Sequence, residues 1–152
     1  LLKQNTMELL IAGRHDDDHY ISFIKEKSRE LGVADNLHLL GRVTEQEKSW
    51  YFNNCRAFAF PSISEGFGLP VVEAMSCGKP LFLSDRTALP EIGGDVSFYF
   101  RDFNPDHMQE VFNAGMDSYT EQNMCKKIQE RGTHFNWHQS AKEYLSVYRS
   151  LY

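Results

Sequence analysis

Two glutamates set eight positions apart, Glu65 and Glu73, enclose a stretch of backbone suited to holding an anion. Between them run Gly66, Phe67, Gly68, Leu69, Pro70, Val71 and Val72. The glycines remove side chains where N–H groups could close on a ligand, and Pro70 suits the first position of a helix. A helix N-terminus beside free loop N–H groups favours negative charge, such as a phosphate. The carboxylates suit something else. Each is a two-oxygen acceptor for paired hydroxyls, so an anion flanked by sugar hydroxyls is the ligand this pattern fits. Glu65 is expected ahead of the loop and Glu73 within the first turn of the helix.

The elements on either side must place this loop. Ala57–Phe60 is an apolar run too short for a helix and stopped by Pro61, which predicts a buried strand. The helix opened by Pro70 stops at Gly78. Upstream, Met7–Ala12 predicts a strand ending at Gly13, and Asp16 to Asp18 can cap a helix whose Tyr20, Ile21, Phe23, Ile24 and Leu31 keep helical spacing. Asn36–Leu40 predicts a strand closed by Gly41, and Thr44 with Glu47 forms a capping box opening a helix over Glu45–Asn54. Downstream, Pro80–Ser84 and Val96–Phe100 predict strands joined through the connection Asp85–Ile92. Helices follow from Pro105 to about Ser118 and from about Thr120 to Arg131. A final helical stripe of Trp137, Ala141, Tyr144, Leu145 and Tyr148 predicts core or interdomain packing. Strand and helix alternate throughout. The fold class expected is α/β, a Rossmann-like three-layer α/β/α arrangement whose mostly parallel, doubly wound sheet binds ligands at the carboxyl ends of its strands.

Composition bounds the remaining possibilities. A chain of 152 residues, 41% apolar, is expected to form a single domain with a buried core. A formal charge of −5 argues against nucleic acid or an anionic membrane as the principal partner. The apolar runs are far short of a bilayer span, and the N-terminus lacks the pattern of a signal peptide. Cys55, Cys77 and Cys125 are widely spaced and suggest neither a disulfide framework nor a zinc site. His15 with His19, and His134 with His138, are spaced four apart as metal-binding pairs on one helix face would be, but their polar surroundings favour ordinary solvated side chains. Ser62 and Ser64 lack the nucleophile-elbow context of a serine hydrolase.

The string EGFGLPVVE, preceded by PS and followed by AMSCGKP, resembles the Glu-x7-Glu signature of retaining glycosyltransferase family 4, whose members have the GT-B fold. NLHLLGRV is similar to that family's third strand and following loop, the Leu-Pro-Glu segment at Leu89 to a short family segment, and HFNWHQSAKEYLSVYRSLY to its terminal helix. The resemblance implies the C-terminal, nucleotide-sugar-binding half of a GT-B enzyme. It implies that Glu65 holds donor-sugar hydroxyls as the catalytic residue and that Glu73 holds the ribose. The backbone of Gly66, Phe67, Gly68 and Leu69 would hold the diphosphate, and Gly41, Arg42 and Val43 would line the base. For Arg42, a solvent-facing side chain on an ordinary turn stands as an equal alternative.

The activity implied is transfer of a hexose from a nucleotide-diphosphate sugar to a hydroxyl acceptor with retention, in cell-surface polysaccharide biosynthesis. No cofactor and no metal are expected, the nucleotide sugar being a co-substrate. The acceptor, a glycan or lipid-linked sugar, would be held by an N-terminal domain, and the location would be cytoplasmic, with that domain a means of peripheral membrane attachment. Family members also draw a first strand, and an Arg and a Lys for the diphosphate, from upstream. The 152 residues are accordingly expected to belong to a longer polypeptide and, alone, to be poorly stable and inactive. Three alternatives stay open: a non-catalytic nucleotide-sugar-binding module; a different α/β nucleotide-binding enzyme, although no Gly-x-Gly-x-x-Gly follows the first strand; and a metal site at Asp16 to Asp18 like the Asp-x-Asp of GT-A enzymes.

Overall fold

The computed structural model describes residues 7–14 and 16–151. These fall into two compact units, one reaching to Trp50 and the other starting at Tyr51. In the first, β1 (Leu9–Ala12) is followed by α1 (Asp18–Glu30), β2 (Leu37–Gly41) and α2 (Glu45–Asn54), which crosses into the second. β1 and β2 are parallel, with Leu9 beside Leu37 and Ile11 beside Leu39. Asp17 is the residue that caps α1, its Oδ1 accepting the N–H groups of His19 at 2.9 Å and Tyr20 at 3.0 Å. Asp16 pairs with Arg14 at 2.6 Å. The capping box at α2 forms reciprocally. Thr44 donates its N–H to Glu47 Oε2 at 2.7 Å, and Glu47 donates its own to Thr44 Oγ1 at 3.2 Å. The backbone bond from Thr44 holds the Glu47 carboxyl below the usual carboxylate range.

The second unit contains β3 (Phe58–Phe60), α3 (Leu69–Ser76), β4 (Leu81–Ser84), α4 (Leu89–Gly93), β5 (Phe98–Phe100), α5 (Pro105–Glu121), α6 (Cys125–Thr133) and α7 (Trp137–Ser150). Its three strands are parallel in the order β3–β4–β5, so the α/β class expected is the one observed, with the strands in two hydrogen-bonded sets. β4 lies in the middle and is buried from end to end, as a central parallel strand must be. Its alternate side chains serve opposite faces. Leu81 and Leu83 join Val71, Met75, Leu89, Ile92 and Ile128 in one core beneath α3, α4 and α6. Phe82 meets α5 instead, its ring 4.7 Å from that of Phe112 and 5.2 Å from that of Phe98. Gly115 lets α5 come this close: a Cβ there would lie 2.6 Å from Phe82 and 2.8 Å from Phe98.

Several boundaries differ from the sequence expectation, each for a local reason. The connection Asp85–Ile92 holds a short helix, α4, which runs into a 3-10 turn at Gly94–Val96, so the fifth strand starts at Phe98. Leu89, Ile92 and Val96 are buried in the core and draw this segment in as helical turns. Thr120 belongs to α5, which runs on to Glu121, and α6 begins only at Cys125, after Asn123 turns the chain at φ 49°. His134 and His138 do not share a helix face, because His134 ends α6 and Asn136 caps α7. His15 lies outside the described residues. The α7 stripe is not core: Trp137 is 82% exposed and Tyr144 67%. Cys55, Cys77 and Cys125 are free thiols, and burial pushes the Cys55 thiol up. Among the described residues no helix is long and apolar enough to cross a membrane.

Candidate functional site

Pro61 ends β3, and residues 61–68 carry the chain from its carboxyl end to α3. This is where a parallel sheet presents ligand sites. The loop is tied to the neighbouring β4–α4 connection at three points. Ser84, fully buried at the end of β4, donates its hydroxyl to the Ser62 carbonyl. The Glu65 N–H donates to Thr87 Oγ1 at 3.0 Å. Gly68 packs so closely on Leu89 that a Cβ would stand 3.0 Å from Leu89 Cδ2.

Gly68 is the N-cap of α3 and has φ 100° and ψ 50°, a conformation that L side chains rarely adopt. Pro70 has no N–H, and Val71 closes back on the Gly68 carbonyl at 2.9 Å. The N–H groups of Gly66, Phe67, Gly68 and Leu69 find no acceptor among the described residues. These are the donors expected for a phosphate, and the helix dipole adds to their effect. Glu65 is half-buried beside them. Glu73 is also half-buried but falls just past the first turn in which it was expected. The helix begins at Leu69, so its first turn closes before Glu73, and no acidic residue occupies that turn.

Behind the loop, α6 supplies a brace that gives no sequence signal. Arg131 donates from Nε to the Ile92 carbonyl at 2.7 Å and from Nη2 to the Glu91 carbonyl at 2.5 Å, holding the carboxyl end of α4. Its guanidinium lies 5.8 Å from the centre of the Phe135 ring, and Phe135 meets the Phe67 ring edge-on at 5.8 Å. Thr87 is the other residue that sequence reasoning passed over. It was visible only as part of a connection, yet it holds a backbone φ of 50° and receives the Glu65 N–H.

Gly41, Arg42 and Val43, the candidates for the base, follow β2 in the first unit. Gly41 has φ 70° and accepts the Gly13 N–H at 2.9 Å, Arg42 is exposed and Val43 half-buried. The first unit also has a groove of about 400 Å³ lined by Ile21, Lys25, Arg29, Leu37 and Leu39, which includes none of the expected site residues. Among the described residues no cluster of three His, Cys, Asp or Glu is placed to hold a metal ion. At Asp16 to Asp18, the Asp17 carboxylate is engaged as a helix cap.

Comparison with known proteins bears on the family and the fold. The chain is 28% identical over 149 residues to O-antigen chain mannosyltransferase B of Escherichia coli, covering 94% of this chain and 37% of the relative. It is 30% identical over 127 residues to the MMP alpha-(1->4)-mannosyltransferase of Mycolicibacterium hassiacum, covering 78% of this chain and 30% of the relative. The chain thus spans well under half the length of these curated relatives. Among solved structures it superposes on sucrose-phosphate synthase from Thermosynechococcus elongatus with a TM-score of 0.80 at 22% identity, covering 95% of this chain and 38% of that one. The Anabaena protein HepE in complex with UDP gives a TM-score of 0.79 at 20% identity, covering 93% and 41%. These two show the shared fold. The family described as Glycosyl transferases group 1 matches residues 1–135, and with most of its length so matched and its GT-B fold evident, the chain belongs to that family of glycosyltransferases.

Proposed function

We propose that this chain is the donor-binding half of a retaining family 4 glycosyltransferase, which moves a hexose from a nucleotide-diphosphate sugar to a hydroxyl of a glycan or lipid-linked sugar. The observation that carries this is the loop at the end of β3: four backbone N–H groups without an acceptor among the described residues, flanked by the half-buried Glu65 and Glu73. Fixed N–H dipoles stabilise the charge that develops on a leaving diphosphate without reorganising during the reaction. In this role Gly66 to Leu69 hold the diphosphate, Glu65 accepts from hydroxyls of the donor sugar as the catalytic residue, and Glu73 accepts from the ribose. Gly41, Arg42 and Val43 take the base. The donors already present make a divalent ion unnecessary, so binding persists in EDTA.

The mannosyltransferase names of the two curated relatives make mannose the first sugar to test. The acceptor and its domain lie in further sequence of a longer polypeptide, which works in the cytoplasm on cell-surface polysaccharide. The test uses the full natural polypeptide with GDP-mannose and UDP-glucose, in buffer with EDTA and with manganese. Donor consumption that survives EDTA, with the anomeric configuration of the donor kept in the product by NMR, is the expected result. Binding that vanishes in EDTA and returns with manganese would favour the Asp16 to Asp18 site instead.

A further inference from the structure

We infer that Thr87 is a positioning residue for Glu65, an assignment that rests on the donor-site proposal and names a residue which that proposal leaves without a role. Two independent observations meet at this side chain. Thr87 holds φ 50°, where a β-branched residue is a genuine outlier, and such strain persists only where surrounding structure enforces it. Its Oγ1 is the acceptor of the Glu65 N–H at 3.0 Å, across 22 residues of sequence. The strained turn and the catalytic glutamate are therefore joined by one hydrogen bond.

The turn is enforced from both sides. Ser84 Oγ accepts the Arg86 N–H at 3.3 Å and also binds the Ser62 carbonyl, so one buried hydroxyl ties the start of each loop. On the far side Leu89 donates to the Arg86 carbonyl at 3.2 Å, and Leu89 itself is fully buried against Gly68. Arg131 then clamps the last carbonyls of α4. A glycine would fit the backbone of position 87 without strain, but it has no hydroxyl to offer. Threonine there orients the Glu65 peptide plane, and with it the direction in which the Glu65 side chain leaves the loop. The passive alternative, a threonine that merely tolerates a tight turn, predicts that glycine would serve as well.

Calorimetric titration of the full natural polypeptide distinguishes the two, with GDP-mannose, UDP-glucose and the bare diphosphates GDP and UDP as probes. Thr87→Gly is expected to bind the nucleotide sugar that the unsubstituted protein prefers about fivefold to tenfold more weakly, the worth of one lost hydrogen bond, and to bind the bare diphosphate within about twofold of normal. Thr87→Ser keeps the hydroxyl and stays within about twofold for both. In a Glu65→Gln background Thr87→Gly adds no further loss, because the residue acts through Glu65. Thr87→Ala, which keeps a Cβ and lacks the hydroxyl, takes the place of the glycine variant should that fail to fold. Normal nucleotide-sugar affinity without the hydroxyl, a serine variant as weak as the glycine one, an equal loss for bare diphosphate, or additive losses with Glu65→Gln would each overturn the assignment. An unsubstituted protein that binds none of the four probes would instead refute the donor-site proposal itself.

Discussion

Gly68→Ala and Gly66→Ala are the same chemical change two residues apart in one loop, and the structure demands unequal outcomes. At Gly68 the backbone sits at φ 100°, well past the left-handed helical well, and an added Cβ would meet Leu89 Cδ2 at 3.0 Å. Forcing an L residue into a left-handed conformation costs about 1–2 kcal/mol. The loss of unfolded-state freedom on replacing glycine returns roughly 0.4–1 kcal/mol. The Leu89 methyl is the end of a side chain and can shift by a few tenths of an ångström, so the backbone term dominates and the net loss is about 1 kcal/mol or slightly more. For a domain of this length that is a fall in Tm of about 2–5 °C. At Gly66 no atom of the described residues beyond its chain neighbours lies within 4 Å of the added Cβ and φ is outside the left-handed range, so the change stays within about 0.5 kcal/mol. Differential scanning calorimetry on both variants reads the contrast directly. Equal melting temperatures, or a larger fall for Gly66→Ala, would refute the assigned backbone of the loop. A nucleotide diphosphate should also bind less tightly to Gly68→Ala, since the strained cap reorients the N–H groups around it; unchanged binding in a destabilised variant would refute the cradle while leaving the stability argument intact.

Glu73→Ala is expected to weaken nucleotide-sugar binding by about 1.5–3 kcal/mol, the worth of a charge-assisted acceptor, and equal affinities by calorimetry would remove Glu73 from the site. Gly115→Ala gains up to about 1 kcal/mol of helix propensity but drives a methyl into Phe82 and Phe98, an overpacking that costs about 1–3 kcal/mol; urea unfolding should show net destabilisation, and a more stable variant would contradict the packing of α5 on β4. The capping box at α2 should be sensitive to acid. Glu47 has its folded pKa held below its ordinary value of 4.5, so its contribution is fully present above that value and is lost as pH falls through the folded pKa. The stability difference between the parent and Glu47→Gln should shrink on acidification, and a difference that widens would reverse the sign of the argument.

What the sequence determined by itself is local. The alternation of apolar runs with capped helical segments dictated the element order and the α/β class, because those signals depend on neighbours in the chain. Thr44 with Glu47 placed the start of α2 correctly, since a capping box is complete within four residues. The pair Glu65 and Glu73 with the glycines between them marked the loop at the end of β3 for the same reason. Tertiary structure decided the rest. Buried Leu89, Ile92 and Val96 made helical turns of a segment that looks like a simple connection, and the exposure of Trp137 and Tyr144 removed a stripe that periodicity assigns to a core or an interface from the core of this chain. Thr87 and Arg131 carry no motif at all. Their roles arise from hydrogen bonds that reach 22 residues to Glu65 and 39 residues to Ile92, and such contacts exist only once β3 and β4 lie side by side and α6 has closed on α4.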